Sequence, residues 1–460
     1  MRRFADTPGL ARHGGSAALL AAAAITASTS YVTIYTVGNA VVIAAGCTVL
    51  AVLTALRLVP RAPGRWAVGL ALLVGVIPQL WRPPIGNVHR GPLLPVAIGL
   101  GILASALLIV AVLGAVRRRW PLVVLAFLSA AAAQVLVVQA SARPAIDVWV
   151  IFQQATRGLL HGMNPYRMFF TGVPAGQTSD CFNYLPFTLV ASVPGRVLLG
   201  DVRYGELAVM LAGAAMLLWA MHRRGRESSG RAPLAAVLVV MAVSLPGTLR
   251  VVQQSWNESV VLGCLLAAVA LVLLERAWLA VVPLGLALAT KQHVVLILPL
   301  WALWPRFGWR RVLAAGGLGA AVCLPWVLAD TGRFYGCTVR FFLNLPARQD
   351  SLSVWKFLPG VARVPAVLGL TAGAYALAWR LRDRSLAALV FGTGLVFAAF
   401  DLANKQSFEN QWVLACQLLI VGLACHVVEA AAKAKAGAEG MRQSHECPGS
   451  LEQPGDPVRP

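Results

Sequence analysis

Residues 277–304 read AWLAVVPLGLALATKQHVVLILPLWALW, and how this run crosses decides the topology of the chain. Arg276 precedes it, and Arg306, Arg310 and Arg311 follow it. Basic clusters mark the cytoplasmic loops of helical membrane proteins. Both ends of the run therefore belong on one side, and it must enter the membrane and return. Its 28 residues are too few for two full crossings, which need roughly 40. The economical solution is two short helices meeting at Thr290-Lys291-Gln292-His293, with Lys291 on the outer side but recessed below the surface.

Working outward, the whole chain has the composition of a membrane bundle. Of 460 residues, 58% are hydrophobic and only 12% charged, where soluble proteins carry about a quarter charged residues. Mean hydropathy is +0.72. The net charge of +21 invites a nucleic-acid reading. However, the basic residues form short clusters between apolar runs rather than a stripe, so no nucleic-acid partner is expected. Further apolar runs lie at 16–58 (long enough for two spans, with a turn near Tyr35), 66–81, 93–116, 120–141, 203–221, 232–249, 258–274, 311–329, 363–380, 385–400 and 411–430. Inner loops are marked by Arg2 and Arg3, by Arg57, Arg61 and Arg65, and by Arg117, Arg118 and Arg119. Arg223, Arg224 and Arg226 mark the next, then Arg380, Arg382 and Arg384, then Lys433 and Lys435. With the hairpin, the pattern predicts an all-α integral membrane protein of about fourteen transmembrane helices with both termini cytoplasmic. The run 184–199, with Pro186, Pro194 and Arg196, reads as a juxtamembrane or re-entrant helix on the outer face. The N-terminus resembles a signal peptide but reads as an uncleaved first span, and the tail from about Ala434 to Pro460 reads as disordered.

Sorted by this topology, the unusual polar residues gather outside. The segment DVWVIFQQATRGLLHGMNPY, 147–166, is the densest. Val148, Ile151, Phe152, Ala155 and Leu159 fall on one stripe of an in-plane amphipathic helix. Gly162 ends that helix, and Asn164-Pro165 makes a turn. Gln253, Gln254, Asn257 and Glu258 sit at another outer turn, Arg340, Asn344, Arg348 and Asp350 in the outer loop 330–360, and Asp401, Lys405, Gln406, Glu409, Asn410 and Gln411 at the last outer turn. A transporter more often places polar groups near the midplane within discontinuous helices of matching halves. Polar groups gathered at one surface suit an enzyme working there, and a transporter or flippase of lipid-linked intermediates is the alternative.

The segment 147–166, then FNYLPFTLVASVP at 182–194, QQSWNESVVLGCLL at 253–266 and LALATKQHVVLILP at 286–299, resembles the polyprenyl-phosphate-mannose-dependent glycosyltransferases of the C-type superfamily. The resemblance is to the actinobacterial α-mannosyltransferases and covers about 120–430. It leaves 1–119 as N-terminal transmembrane helices outside the match and 431–460 as a cytoplasmic tail. Family motifs fall on Asp147, on Gly162 to Tyr166, on Tyr184-Leu185-Pro186, on Gln254 with Asn257, and on Lys291-Gln292. Three departures stand out: Leu185 and Gln292 replace prolines, and the Gln254-to-Asn257 spacing is one residue longer. The resemblance implies a bundle with an extracytoplasmic amphipathic-helix loop and an active site on that face. It implies a polyprenyl-phosphate sugar donor, most simply mannose, a lipid or glycan acceptor of the cell envelope, and inversion at the anomeric carbon.

Each candidate residue also carries a plainer reading. Asp147 is the expected base, since glycosyl transfer needs a proton acceptor, but it could equally cap a helix starting at Val148. Lys291, Arg250 and Lys405 are candidate phosphate partners, or interfacial anchors. Gln154, Asn164, Tyr166, Tyr184, Gln254, Asn257 and His293 are candidate sugar contacts, or residues that satisfy one another and the aromatic belt. No cofactor or metal is expected, because His161 and His293 stand alone and the eight cysteines lack ligand spacing. Of those cysteines, Cys47, Cys264, Cys323, Cys416 and Cys425 fall in apolar runs and Cys447 in the inner tail. Only Cys181 and Cys337 fall in outer loops, where disulfides are permitted. A bridge between them would close about 155 residues, worth about 4–5 kcal/mol in the loop-entropy model.

Overall fold

A computed structural model describes residues 8–30, 36–81, 92–114, 116, 118–174, 180–226, 232–348, 350–381 and 385–445. Arg2, Arg3, Tyr35, Arg117, Arg382, Arg384 and Cys447 lie outside these residues, and with them the anchors, the turn and the tail thiol expected there. The described residues hold helices and turns and no strand. Among the described residues eight helices are long and apolar enough to cross a membrane, or nine with one bent pair counted as a span. The chain is a multi-pass helical membrane protein.

The helices follow the apolar runs closely. α1 is Pro8–Ser30, α2 Val37–Ala55, α3 Arg65–Trp81, α4 Leu93–Leu113 and α5 Trp120–Ala140. Two short elements at one end of the bundle follow, α6 (Asp147–Leu160) and α7 (Phe187–Leu199), before α8 (Arg203–Arg226) returns through it. The expected span 232–249 is split into α9 (Ala232–Val243) and α10 (Pro246–Gln253), bent by 44°. Pro246 is the cause, since proline lacks the N–H an uninterrupted helix would use. α11 is Glu258–Leu273.

The run 277–304 is broken where its length and flanking charges require. α12 (Val281–Leu288) stops, Lys291 is extended (φ −150°, ψ 137°), and a 3-10 turn (Gln292–Ile297) leads into α13 (Leu298–Leu303). Its two ends lie together. The Arg311 guanidinium stands 4.9 Å over the Trp278 ring and donates to the Phe307 carbonyl at 2.6 Å. The chain thus leaves one end of the bundle and comes back to it, with Lys291 near the far turn.

α14 (Gly308–Ala329), a short irregular stretch of α15 (Thr331–Tyr335), a π turn at Gly336–Arg340 and α16 (Phe341–Asn344), then α17 (Gly360–Arg380), α18 (Leu386–Ala403) and α19 (Glu409–His445) complete the order. α9, α18 and α19 as far as Val428 are buried almost all round and form the centre of the core. α1 packs against α19, so the N-terminal helices join the same bundle. One expectation fails at the C-terminus. The tail read as disordered from Ala434 continues as α19 to His445. Its alanine, lysine, glutamate and arginine are strong helix formers, and a helix already nucleated in the core extends through them at little cost.

α6 packs against α7 and belongs to a small core of its own rather than to the central one. Val148, Ile151, Phe152 and Ala155 are buried, while Arg157 and His161 are exposed. The buried stripe joins Tyr166, Phe170, Phe182, Leu189 and Val202 in a second small core. Gly162, at φ +75°, reverses the chain after the helix in a conformation that penalises any side chain with a Cβ.

Candidate active site

Asp147 is the first residue of α6, with Ile146 in the extended N-cap position, so the helix begins one residue earlier than the capping alternative assumed. Its Oδ1 accepts the Val148 N–H at 2.8 Å, and an acid in the first turn complements the helix dipole. Its carboxyl is half-buried. Tyr184 packs edge-on against Phe152 at 4.6 Å. Burial, then the fields of Asp147, Glu258 and Glu206, hold the Tyr184 phenol well above its usual range. Arg348 is also within reach of Asp147. Its guanidinium is raised first by hydrogen bonds to Asp350, at 2.9 and 2.7 Å, and further by Asp147.

The loop bearing Arg348 docks on the turn after α18. The Arg348 guanidinium lies 5.1 Å over the Phe408 ring, and the Arg348 backbone N–H donates to the Lys405 carbonyl at 3.4 Å. Lys405 Nζ donates to the Leu343 carbonyl at 2.9 Å, and burial lowers its pKa. Ser351 and Leu352 pair with Ser407 through three further hydrogen bonds, the shortest 2.7 Å. Arg348 and Lys405 are therefore neighbours at the rim, each keeping N–H donors to spare.

Deeper in, cations and carboxylates are matched. Lys291 Nζ binds the Glu258 carboxylate, and Asn410 Nδ2 donates to the same oxygen at 2.6 Å. Arg250 Nη1 meets Glu409 Oε2 at 3.0 Å and lies 5.9 Å over Trp256. Arg203, fully buried, chelates Asp201 at 2.9 and 2.6 Å and donates to the carbonyls of Gln253, Val138 and Ser141. Glu206 accepts from Ser255 at 2.9 Å and Ser192 at 3.3 Å. Buried charges require such partners in a medium without water.

Several expected sugar contacts have partners within the scaffold. Tyr166 is 1% exposed, enclosed by Phe182, Trp326 and Phe334, and its hydroxyl donates to the Tyr184 carbonyl at 2.9 Å. Asn164 caps the turn Pro165–Arg167, accepting the Tyr166 N–H. Gln154 clamps the backbone of Thr171 from both sides, at 2.6 and 3.2 Å. The reason is shared: a long irregular loop must satisfy its own backbone, and nearby amides are the cheapest partners. His293 packs edge-on to Phe397 at 5.1 Å. Gln254 donates to Gln253, which donates to Ser141. Asn257 Nδ2 donates to the Thr290 carbonyl at 3.3 Å and Thr188 Oγ1 at 3.4 Å, joining α11 and α7 to the hairpin turn.

Three ties bind the loop after α6 to the segment 330–340. Cys181 and Cys337 form a disulfide with Cα atoms 5.7 Å apart. Arg167 Nε meets Asp330 at 2.7 Å. Gln292, at the hairpin turn, donates to the carbonyls of both Asn183 and Thr338 at 3.1 and 3.0 Å. Arg203, Glu206, Glu258, Asn410 and Arg348 are the residues whose weight the sequence reading underestimated. For Glu258 and Lys291 the available signal was that two opposite charges each faced an apolar surround. Among the described residues no group of three or more His, Cys, Asp or Glu could hold a metal ion. Protein-family models and curated proteins give no match to this chain.

Proposed function

We propose that this protein is an integral membrane glycosyltransferase of the C-type architecture, taking a sugar, most simply mannose, from a polyprenyl-phosphate donor. It crosses the membrane about fourteen times, with α1, α3, α11 and the two short arms of the hairpin completing the nine long spans. Both termini are cytoplasmic and the Asp147 end is extracytoplasmic. The observation that carries this reading is the placement of Asp147: a half-buried acid at a helix start, on the bundle end where Tyr184, Arg348 and Lys405 also stand. That end is where a lipid-borne donor and a cell-envelope acceptor could meet.

In this reaction the acceptor hydroxyl attacks the anomeric carbon from the face opposite the phosphate. The new C–O bond forms as the old one breaks, inverting the centre. The phosphate keeps the bonding electrons, and the hydroxyl proton passes to Asp147. Arg348 and Lys405 take the leaving phosphate: the Arg348–Asp350 pair is half exposed and can open to an anion, whereas Lys291 and Arg250 are each matched to a buried glutamate. A guanidinium fork suits a phosphate oxygen pair. The polar residues gather at one end of the bundle rather than at its middle, which favours transfer over transport of lipid-linked intermediates. The test is transfer of label from polyprenyl-phosphate mannose to cell-envelope lipid or glycan by purified wild type and Asp147→Asn. Transfer by wild type alone, with equal donor binding by both, is expected. Undiminished transfer by Asp147→Asn would remove Asp147 from the chemistry.

A further inference from the structure

At the turn of the hairpin, three buried oxygens lack hydrogen-bond donors. They are Asn257 Oδ1, Glu258 Oε2 and Asn410 Oδ1. They belong to one cluster. Asn257 and Glu258 are consecutive, and Asn410 Nδ2 donates to Glu258 Oε1 at 2.6 Å. Lys291 binds that same Glu258 oxygen and retains 15% of its side-chain surface. Asp401 is buried alongside, and no hydrogen bond joins it to another described residue, although Lys291 and Glu258 lie within its electrostatic reach. Tyr184 bridges the two places, standing in the field of both Asp147 and Glu258. Thr188 and Thr290, which share Asn257 Nδ2, complete the wall.

The chemistry of this wall selects its ligand. Native interiors leave very few buried acceptors unpaired, so these oxygens are made for donors. An anion is excluded, since the Glu258 carboxylate and two amide oxygens would face it, with the buried Asp401 nearby. A cation is disfavoured by Lys291. What remains is a neutral molecule with several O–H donors at fixed angles. Resting on the transferase reading above, we propose that Asn257, Glu258 and Asn410 form the subsite that binds the hydroxyl groups of the transferred pyranose ring, and so set which sugar is accepted. The amide nitrogens of both asparagines are already committed to protein, which aims their oxygens as pure acceptors.

The test compares farnesyl-phosphate mannose with its singly deoxygenated analogues as donors. Wild type should lose at least about tenfold in kcat/KM on one analogue, because a site built for a hydroxyl is left with an unpaired group when it is missing. Asn410→Ala and Asn257→Ala should lose a similar factor on the complete sugar and then no longer distinguish that analogue from it. Discrimination retained at the wild-type ratio in both variants would overturn the subsite and leave water as the occupant of these oxygens. If wild type transfers from no polyprenyl-phosphate sugar, the transferase reading fails, and methyl mannoside still tests the subsite. A rise in melting temperature with methyl mannoside that is lost in a folded Asn410→Ser variant supports it; no rise in wild type overturns it.

Discussion

Removing the Lys291 ammonium should destabilise the fold severely, and removing its partner as well should restore much of the loss. Glu258 retains only 2% of its side-chain surface and Lys291 15%, so neither charge has much water to fall back on. Two charges about 4 Å apart attract by about 4 kcal/mol at an effective dielectric of 20, and stripping one partner from a buried pair typically costs about 3–5 kcal/mol. Lys291→Met keeps most of the stem volume and deletes the charge. It leaves Glu258 with one Asn410 hydrogen bond and with Asp401 as an electrostatic neighbour, which repels it. A loss of about 3 kcal/mol or more is expected, trimmed somewhat if the unfolded chain finds partners within the membrane. Lys291→Met with Glu258→Gln removes both charges and should recover at least half of it. The assay is a double-mutant cycle in detergent micelles, following helix content against added sodium dodecyl sulfate. A Lys291→Met loss below about 1 kcal/mol, or simple additivity in the double variant, would show that the two groups are not a coupled buried pair.

Arg203→Lys should cost about 2–4 kcal/mol in the same assay, since an ammonium cannot reach Asp201 and three carbonyls at once, and hydrogen bonds to charged groups are the strong ones; near-wild-type stability would mean that water replaces the fork. Cys337→Ser opens a closure of 156 residues and should loosen the Asp147 loop, raising proteolysis between 161 and 186 without unfolding the spans; equal digestion of variant and wild type under non-reducing conditions counts against this. The Asp330 carboxyl is held below its usual range by the Arg333 backbone N–H and by Arg167, so its clasp is fully formed above the usual carboxylate pKa and is lost as pH falls through the lowered value. Hydrogen exchange over Thr331–Tyr335 should therefore rise only in strong acid, and Asp330→Asn should exchange fast at every pH; an identical pH profile in both would reject the clasp.

How far the sequence could be read follows from the physics of each element. A bilayer demands long apolar runs and penalises lone charges, so α4, α5, α14 and α17 lie within a few residues of where hydropathy puts them. Charge parity and length alone locate the break beside Lys291, because no continuous helix satisfies both. The stripe on α6 is local and equally legible. Pro246 is different: it was visible, but a proline can kink or end a span, and only packing decides between them. Pairings are the hardest. Lys291 and Glu258 lie 33 residues apart, and Asn410 lies 152 from Glu258. Nothing in hydropathy says which outer turn faces which. The protein partners of Tyr166 and Gln154 were hidden for the same reason, since a polar residue on a loop looks alike whether it holds the loop or faces a ligand.

The acids at this end of the bundle differ in what they are free to do. Glu206, Glu258, Glu409 and Asp401 are buried, and the first three are held by serines, by Lys291 with Asn410, and by Arg250. Asp330 and Asp350 are more exposed, but each is gripped by an arginine at 2.7 Å. Asp201 is the counter-ion of Arg203. Asp147 is placed differently. It is half-buried, it sits at the positive end of a helix dipole, and its neighbours include Arg348, whose guanidinium is not enclosed. A general base must stay ionised, must be reached by the incoming hydroxyl, and must be fixed in direction. The helix dipole and Arg348 favour ionisation, half-burial leaves an approach, and the Val148 N–H orients one oxygen. The buried glutamates meet the third condition at the expense of the second, and the exposed aspartates meet the second while committed to an arginine. In the proposed reaction, the helix start, the half-burial and the oriented oxygen are what suit Asp147 to the base's role.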